Sequence, residues 1–227
     1  MKLSVIMPAY NEQATIEQIV ARVLASPVDL ELIVVDDAST DATAPLVEGL
    51  AQRDPRVRLL RHDRNSGKGT GVRTGLAAAT GDVVVIQDAD LEYDPADYPN
   101  LLRPLERNDA DVVFGSRYLG AHSCVALRYY LANRLVTIFF NLLYGTSLSD
   151  VLTCYKAFRR SLVSAEALQA NDFAIDVELP ARLVRARARI FEVPIYYAAR
   201  GLQQGKKIRW WHTVTILWTA LRLRFSR

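Results

Sequence analysis

The stretch DVVVIQDADLEYDP, residues 82–95, joins an apolar run, Val83–Ile86, to four carboxylates, Asp88, Asp90, Glu92 and Asp94. An apolar run without alternation marks a strand covered on both faces, as in a parallel sheet. Carboxylates just beyond such a strand add nothing to a core. They stand at its exit, where open α/β sheets hold ligands. The same pattern recurs along the first half of the chain. LSVIM (3–7) leads into PAYNE (8–12), LELIVV (30–35) into DDAST (36–40), VRLL (57–60) into HDRNSGKG (62–69), and ADVVFGS (110–116) ends in GSR (115–117). Helical stretches separate these runs: 11–25, with Ile16, Ile19, Val20, Val23 and Leu24 on one face, then 36–52, 67–80 and 95–106. Strands alternating with helices predict an α/β fold with a mostly parallel central sheet and helices on both faces. Five polar clusters then converge on the edge formed by the strands' C-terminal ends.

After Ser116 the pattern changes. Residues 126–148, ALRYYLANRLVTIFFNLLYGTSL, read as one long helix or a helix pair, with Arg128 and Arg134 among aromatic and aliphatic residues. EVPIYYAAR (192–200) is strand-like, GLQQGKKIRWW (201–211) is basic, and TVTILWTALRLRF (213–225) reads as an amphipathic helix. The 227 residues fit one domain with an appendage. Net charge is +3, but Ala181–Arg227 holds eleven Lys/Arg against one acid, Glu192. A cationic end suits a phosphate-bearing partner: nucleotide, nucleic acid or anionic membrane. Cys124 and Cys154 form neither a disulfide framework nor a zinc motif. The N-terminus reads as a first strand rather than a signal peptide. The longest charge-free apolar stretch, Leu135–Ser149, is short for a membrane span.

Asp88 and Asp90 stand two apart and can point the same way from extended chain. Hard divalent cations take one or two carboxylates together with substrate phosphates, so the pair suits a metal–diphosphate. It equally suits a solvated acidic turn, with Asp94 and Pro95 starting the next helix. Ser39 and Asp41 are natural helix caps, which leaves the adjacent Asp36 and Asp37 unexplained. NSGKGTG (65–71) is no P-loop. That pattern needs Gly where His62 stands and Ser or Thr where Gly69 stands. A helix start packed close to the sheet accounts for it better. His62, His122 and His212 read as structural or surface groups.

Taken in order, VIMPAYNE, VVDDASTD, NSGKGTGVRTG, DADLEYDP, VVFGSR, EVPIYY and KKIRW resemble family 2 glycosyltransferases of GT-A fold, nearest the dolichyl- or polyprenyl-phosphate sugar synthases. The resemblance spans essentially the whole chain. It implies a donor-binding half at 1–120 and an acceptor-binding, interfacial half at 121–227 within one catalytic domain. It implies an inverting transfer of a hexose from a nucleotide sugar (GDP-mannose or UDP-glucose type) to a polyprenyl phosphate. Pro8, Tyr10, Glu12, Asp37 and Ser39 would line the nucleotide pocket, and Asp88 and Ala89 would contact sugar and diphosphate. Asp90 would bind Mg²⁺ or Mn²⁺, with Glu92 as second ligand. Arg117, Arg200 and Lys206 would bind the diphosphate or the acceptor phosphate, with Asp88, Asp90 and Arg117 catalytic. Arg128 and Arg134 are further phosphate clamps or interfacial snorkelling arginines. Cys154 stands where relatives commonly have glycine, which weakens transfer of sugar specificity.

Such an acceptor is already an anion and needs positioning more than a strong base. A saccharide or other soluble hydroxyl acceptor would need a carboxylate base, for which Asp172, Asp176 and Glu178 are available. The processive synthases' Q-x-x-R-W motif fails at Lys206. Nucleic acid is disfavoured, because an acid-rich edge repels its backbone. Aromatics mixed with arginines in 126–148 and 210–225 predict helices lying on a membrane surface, with packing against the sheet, a second copy or a separate membrane protein as the alternatives. Without a spanning helix the expected location is the cytoplasmic face of a membrane.

Overall fold

The structure is a computed structural model that describes residues 1–124, 126–199 and 210–225, the side chains of residues 210–212 excepted. Seven strands form one sheet in the order β3-β2-β1-β4-β6-β5-β7. They are β1 (Leu3–Ala9), β2 (Leu30–Asp36), β3 (Val57–Arg61), β4 (Val83–Ile86), β5 (Val112–Ser116), β6 (Lys156–Arg159) and β7 (Ile190–Pro194). All neighbours pair parallel except β6, which runs antiparallel between β4 and β5. Strands β1, β2, β4 and β5 are buried almost throughout, as their unbroken apolar runs require. β6 is a correction to the sequence-derived strand list. Only four residues long and flanked by cations, it has no periodicity to announce it.

The helices are α1 (Ile16–Leu24), α2 (Thr43–Arg53), α3 (Lys68–Ala78), α4 (Tyr98–Glu106), α5 (Leu127–Tyr144), α6 (Ile175–Arg185) and α7 (Trp210–Phe225). Ile16, Ile19, Val20 and Val23 are the buried face of α1, as their spacing predicts. α3 lies tight on β1. A Cβ on Gly75 would come within 2.3 Å of Ile6 Cγ2, and one on Gly71 within 3.0 Å of Pro8 Cβ. The glycines of NSGKGTGVRTG therefore serve close packing. α5 is a single helix, stopped by Gly145 in the left-handed conformation (φ 67°). α7 packs on α5 and α6, burying Ile216, Ala220 and Leu223. Tyr144 donates to the Ala220 carbonyl at 2.9 Å, and Arg224 to the Leu143 carbonyl at 2.9 Å. Among the described residues no helix is long and apolar enough to cross a membrane.

Strand order reverses direction between β1 and β4, which opens a crevice beyond their C-terminal ends. PAYNE and QDADLE flank that crevice.

Candidate active site

Five loops meet at the crevice, and side chains stitch them together. After β1 and β2, the Asn11 amide donates to Ser39 Oγ (2.9 Å), Thr40 N–H to Asn11 Oδ1 (2.8 Å), and Glu12 N–H to Thr43 Oγ1 (2.8 Å). Asn11 and Ala38 hold positive φ, 52° and 59°, in support of this tight crossing. Ser39 is thus a loop tie and not the helix cap its position suggests. Asp41 accepts from the Thr43 amide at 2.9 Å at the start of α2. Thr15 Oγ1 reaches the Ala89 carbonyl at 3.0 Å and joins the β1 loop to the β4 loop.

Asp37 is more heavily engaged than its sequence suggests. Its carboxylate accepts from the Ser66 and Gly67 amides (2.9 and 2.7 Å) and lies 2.7 Å from His62 Nδ1. It builds the wall between the second and third loops. The acid with an open oxygen is its neighbour: Asp36 is fully buried and its Oδ1 has no partner among the described residues.

The start of α3 is closed to ligands. Gly69 and Thr70 amides donate to the Asn171 carbonyl (2.8 and 3.3 Å). Gly67 sits at φ 90° with room for no Cβ, since Asn171 O would be 2.4 Å away. Chain 169–172 therefore occupies the place where a phosphate loop would bind its ligand.

Lys68 enters the site instead. Its Nζ lies 2.9 Å from Asp88 Oδ1, 3.4 Å from Asp176 Oδ1 and 3.9 Å from Cys154 Sγ. Burial works against the ammonium, but the charges of Asp176 and Asp88 reverse that and hold it well above the usual lysine range. Burial likewise raises Asp88, and the charge and hydrogen bond of Lys68 outweigh it, leaving the carboxyl below its ordinary value. Burial pushes the Cys154 thiol well up. Lys156, also buried, is depressed by burial and its Nζ rests on the Thr153 carbonyl.

Beneath QDADLE, Gln87 Oε1 accepts from the Tyr98 and Tyr155 hydroxyls, both at 2.7 Å. Asp90 Oδ1 accepts the Glu92 amide at 3.0 Å, a turn that fixes the acidic loop. Glu92 Oε2 accepts from the Tyr197 hydroxyl at 2.9 Å. Burial and then the Glu92 charge raise that phenol well above the usual tyrosine range. Asp94 accepts from the Ala96 amide at 3.0 Å and caps the turn that leads into α4, as expected.

Beyond β5, Arg117 forms a bidentate pair with buried Asp150 (both contacts 2.7 Å) and lies over the Tyr197 ring at 5.2 Å. Arg134 joins this group. It donates to the Ser149 carbonyl at 2.9 Å and covers the Tyr118 ring at 5.4 Å. Arg128 lies over its neighbour Tyr129, with its guanidinium 4.9 Å from that ring, and among the described residues makes no bond to the Arg117 group. Arg200 and Lys206 lie outside the described residues.

Of the three acids considered as bases, two are structural. Glu178 is fully buried and accepts from the Gln169 and Ala170 amides (2.9 and 2.6 Å) and from Arg182 (2.7 Å). Asp172 accepts the Ala174 amide at 2.9 Å just ahead of α6. Asp176 alone faces the crevice residues, through Lys68. Among the described residues no group of three His, Cys, Asp or Glu forms a metal cage. Strand-end carboxylates such as Asp88 and Asp90 are of the chemical class that takes a hard cation arriving with phosphate oxygens.

Residues 4–165 match the family model for glycosyl transferase family 2. The chain belongs to that family. It is 29% identical over 217 residues to the undecaprenyl-phosphate mannosyltransferase of Micrococcus luteus, covering 91% of this chain and 87% of that one. It is 28% identical over 215 residues to the dolichol-phosphate mannosyltransferase of Pyrococcus furiosus, covering 91% of this chain but 59% of the relative. Glucosyl-3-phosphoglycerate synthase from Mycobacterium tuberculosis superposes with a TM-score of 0.73 at 24% identity, covering 98% of this chain and 79% of that chain. In complex with Mn²⁺, uridine diphosphate and phosphoglyceric acid it gives a TM-score of 0.72 at 23% identity, over 100% of this chain and 79% of that chain. The fold is therefore the GT-A type, and the chain is a family 2 enzyme.

Proposed function

We propose that the protein moves a hexose from a nucleotide sugar to a polyprenyl phosphate at a membrane surface, inverting the anomeric carbon. The observation that carries this is the pairing of a carboxylate-rich crevice with an apolar helix tied to the same edge through Arg134, which bonds the Ser149 carbonyl beside Asp150. On α5, Leu127, Leu131, Leu135, Ile138 and Leu142 recur at intervals of three and four residues and are all exposed, from 50% to 82%. An apolar stripe of that length suits acyl chains or a prenyl tail. Two of the relatives are named for undecaprenyl- and dolichol-phosphate mannosyl transfer, which supports the acceptor class and leaves GDP- or UDP-sugar open.

The residues divide the work. The loops after β1 and β2, tied through Asn11, Ser39 and Thr43, form the nucleotide side with Pro8, Tyr10, Glu12 and Asp37. Lys68 orients Asp88 toward the sugar and diphosphate. Asp90 would hold Mg²⁺ or Mn²⁺, and such an ion neutralises charge on a leaving nucleoside diphosphate. Glu92, expected beside it, directs one oxygen to Tyr197 and fixes the loop. Arg117, kept in place by Asp150 and Tyr197, and Arg134 face the acceptor phosphate. A phosphate monoester at neutral pH is a ready nucleophile that needs only orientation and removal of water. The structural use of Glu178 and Asp172 favours this acceptor over a neutral hydroxyl.

Asp176 supports the second reading, transfer to a hydroxyl acceptor, because it lies one lysine away from Asp88. Labelled nucleotide sugars with Mg²⁺ or Mn²⁺ and polyprenyl phosphate separate the two when run with Asp176→Asn. Lipid-linked label that survives in the variant supports the phosphate acceptor. Loss of turnover with intact nucleotide binding makes Asp176 a base.

A further inference from the structure

A second polar cavity lies away from the crevice. It has a volume of about 610 Å³, and Arg182, Arg185 and Arg222 line it together with Ser164, Gln169 and Leu223. Its place follows from the chain. β6 runs antiparallel, so residues that follow it emerge at the opposite edge of the sheet. There Arg160 bonds the Gly81 carbonyl at 2.9 Å, just ahead of β4. α6 starts at the crevice with Asp176 and reaches Arg185 about 14 Å further on, at 1.5 Å per residue.

Three arginines from two helices line this cavity, and among the described residues no acid does. Behind it Glu178 is fully buried and already shared between Arg182 and two amides. The C-terminal ends of α6 and α7 each bring roughly half a negative charge, and Arg185 covers one of them by donating to the Leu223 carbonyl at 2.7 Å. The balance is positive, inside a concavity that focuses the field. Arg222 is exposed and makes no hydrogen bond or ion pair with the described residues. Ser164 and Gln169 add neutral hydrogen-bonding groups to the lining. On the same face of α7, Trp218 stands four residues before Arg222 and Phe225 three after, 64% and 76% exposed.

We propose that this cavity is an anion site that takes a phosphoryl group, offered either by a soluble phosphate or by the headgroup of an anionic lipid. It is separate from the donor crevice and rests on the arginine cluster, not on the transfer reaction.

Calorimetric titration with inorganic phosphate at low salt tests it, using the full chain and the variants Arg222→Gln and Arg224→Gln. Both remove one positive charge from the last turns of α7, but Arg224 bonds the Leu143 carbonyl and does not line the cavity. Loss of a charge-assisted contact should weaken phosphate binding about tenfold in R222Q, while R224Q changes it by less than about twofold. A parallel sedimentation series uses phosphatidylcholine vesicles with and without phosphatidylglycerol. A gain confined to the anionic vesicles and lost in R222Q assigns a lipid headgroup. Phosphate binding that depends on Arg222 without that gain assigns a soluble ligand. Equal losses in R222Q and R224Q would reduce the effect to general surface charge and overturn the proposal. So would binding of phosphate and of anionic vesicles that in both cases does not depend on Arg222.

Discussion

Replacing Lys68 with methionine keeps the length of the side chain and removes its charge. Lys68 is 13% exposed and its partners Asp88 and Asp176 are 26% and 12% exposed, at 2.9 and 3.4 Å. Deleting one member of a fully buried pair costs about 3–5 kcal/mol. Partial exposure of Asp88 screens part of that, so K68M should lose about 2–3 kcal/mol at pH 7. The pH dependence is the sharper mark. Asp88 is depressed, so its contribution is present above the ordinary carboxylate range and is lost as pH falls through its lowered folded value. Lys68 is raised, so its share is fully present below the usual lysine range and fades only in strong alkali. The gap between wild type and K68M should therefore hold its size down to the ordinary carboxylate range, about 4, and close below it as pH falls through the lowered folded value of Asp88. Urea unfolding at pH 7, 5 and about 2.5 measures it. An unchanged midpoint at pH 7, or a deficit that stays constant through the lowest pH, would refute the pairing.

Glu31 offers a second acid-side effect: burial raises it, but hydrogen bonds from Ser4 and Thr80 and the charge of Lys2 bring it from 4.5 to about 2. It should give about 3 kcal/mol above pH 4.5, lost as pH falls toward 2, and thermal melts of Glu31→Gln should lack that acid-limb dependence. Gly75→Ala drives a Cβ to 2.3 Å from Ile6 Cγ2, and chemical denaturation should register a loss of about 1–3 kcal/mol. Tyr197→Phe removes the 2.9 Å bond to Glu92 and should cost about 1 kcal/mol while raising KM for the donor more than it changes overall fold, as read by steady-state kinetics and circular dichroism. Leu135→Glu with Ile138→Glu, at 59% and 50% exposure, should leave melting temperature within about a degree yet abolish sedimentation with vesicles.

The sheet and its ligand edge were legible because the strands are buried on both faces and so appear as bare apolar runs, and because every polar cluster follows one. β6 was not, since Lys156 and Arg159 interrupt its four residues and its burial comes from neighbours far apart in sequence. Pro8, Tyr10, Glu12, Asp37, Ser39, Asp88, Ala89, Asp90, Glu92 and Arg117 stand at or just beyond the C-terminal ends of β1, β2, β4 and β5. Their tasks were less legible. Asp37 reads as a donor contact, yet its oxygens are filled by His62, Ser66 and Gly67. Lys68 sits in a glycine-rich segment whose glycines explain themselves by packing, and its role depends on Asp176, more than one hundred residues downstream. Asp150, the partner of Arg117, stands in a loop after α5 with no motif around it. Asp94 and Pro95, in contrast, act locally, and local patterns suffice for them.

The account stands most directly on the nature of the acceptor. One donor, labelled in the sugar, can be offered with vesicles that hold a polyprenyl phosphate and, separately, the same polyprenol without its phosphate. If the acceptor attacks as a phosphate anion positioned by Arg117 and Arg134, label enters the lipid phase only with the phosphate present. Equal labelling of the bare alcohol, or label found only in a water-soluble saccharide, would contradict it.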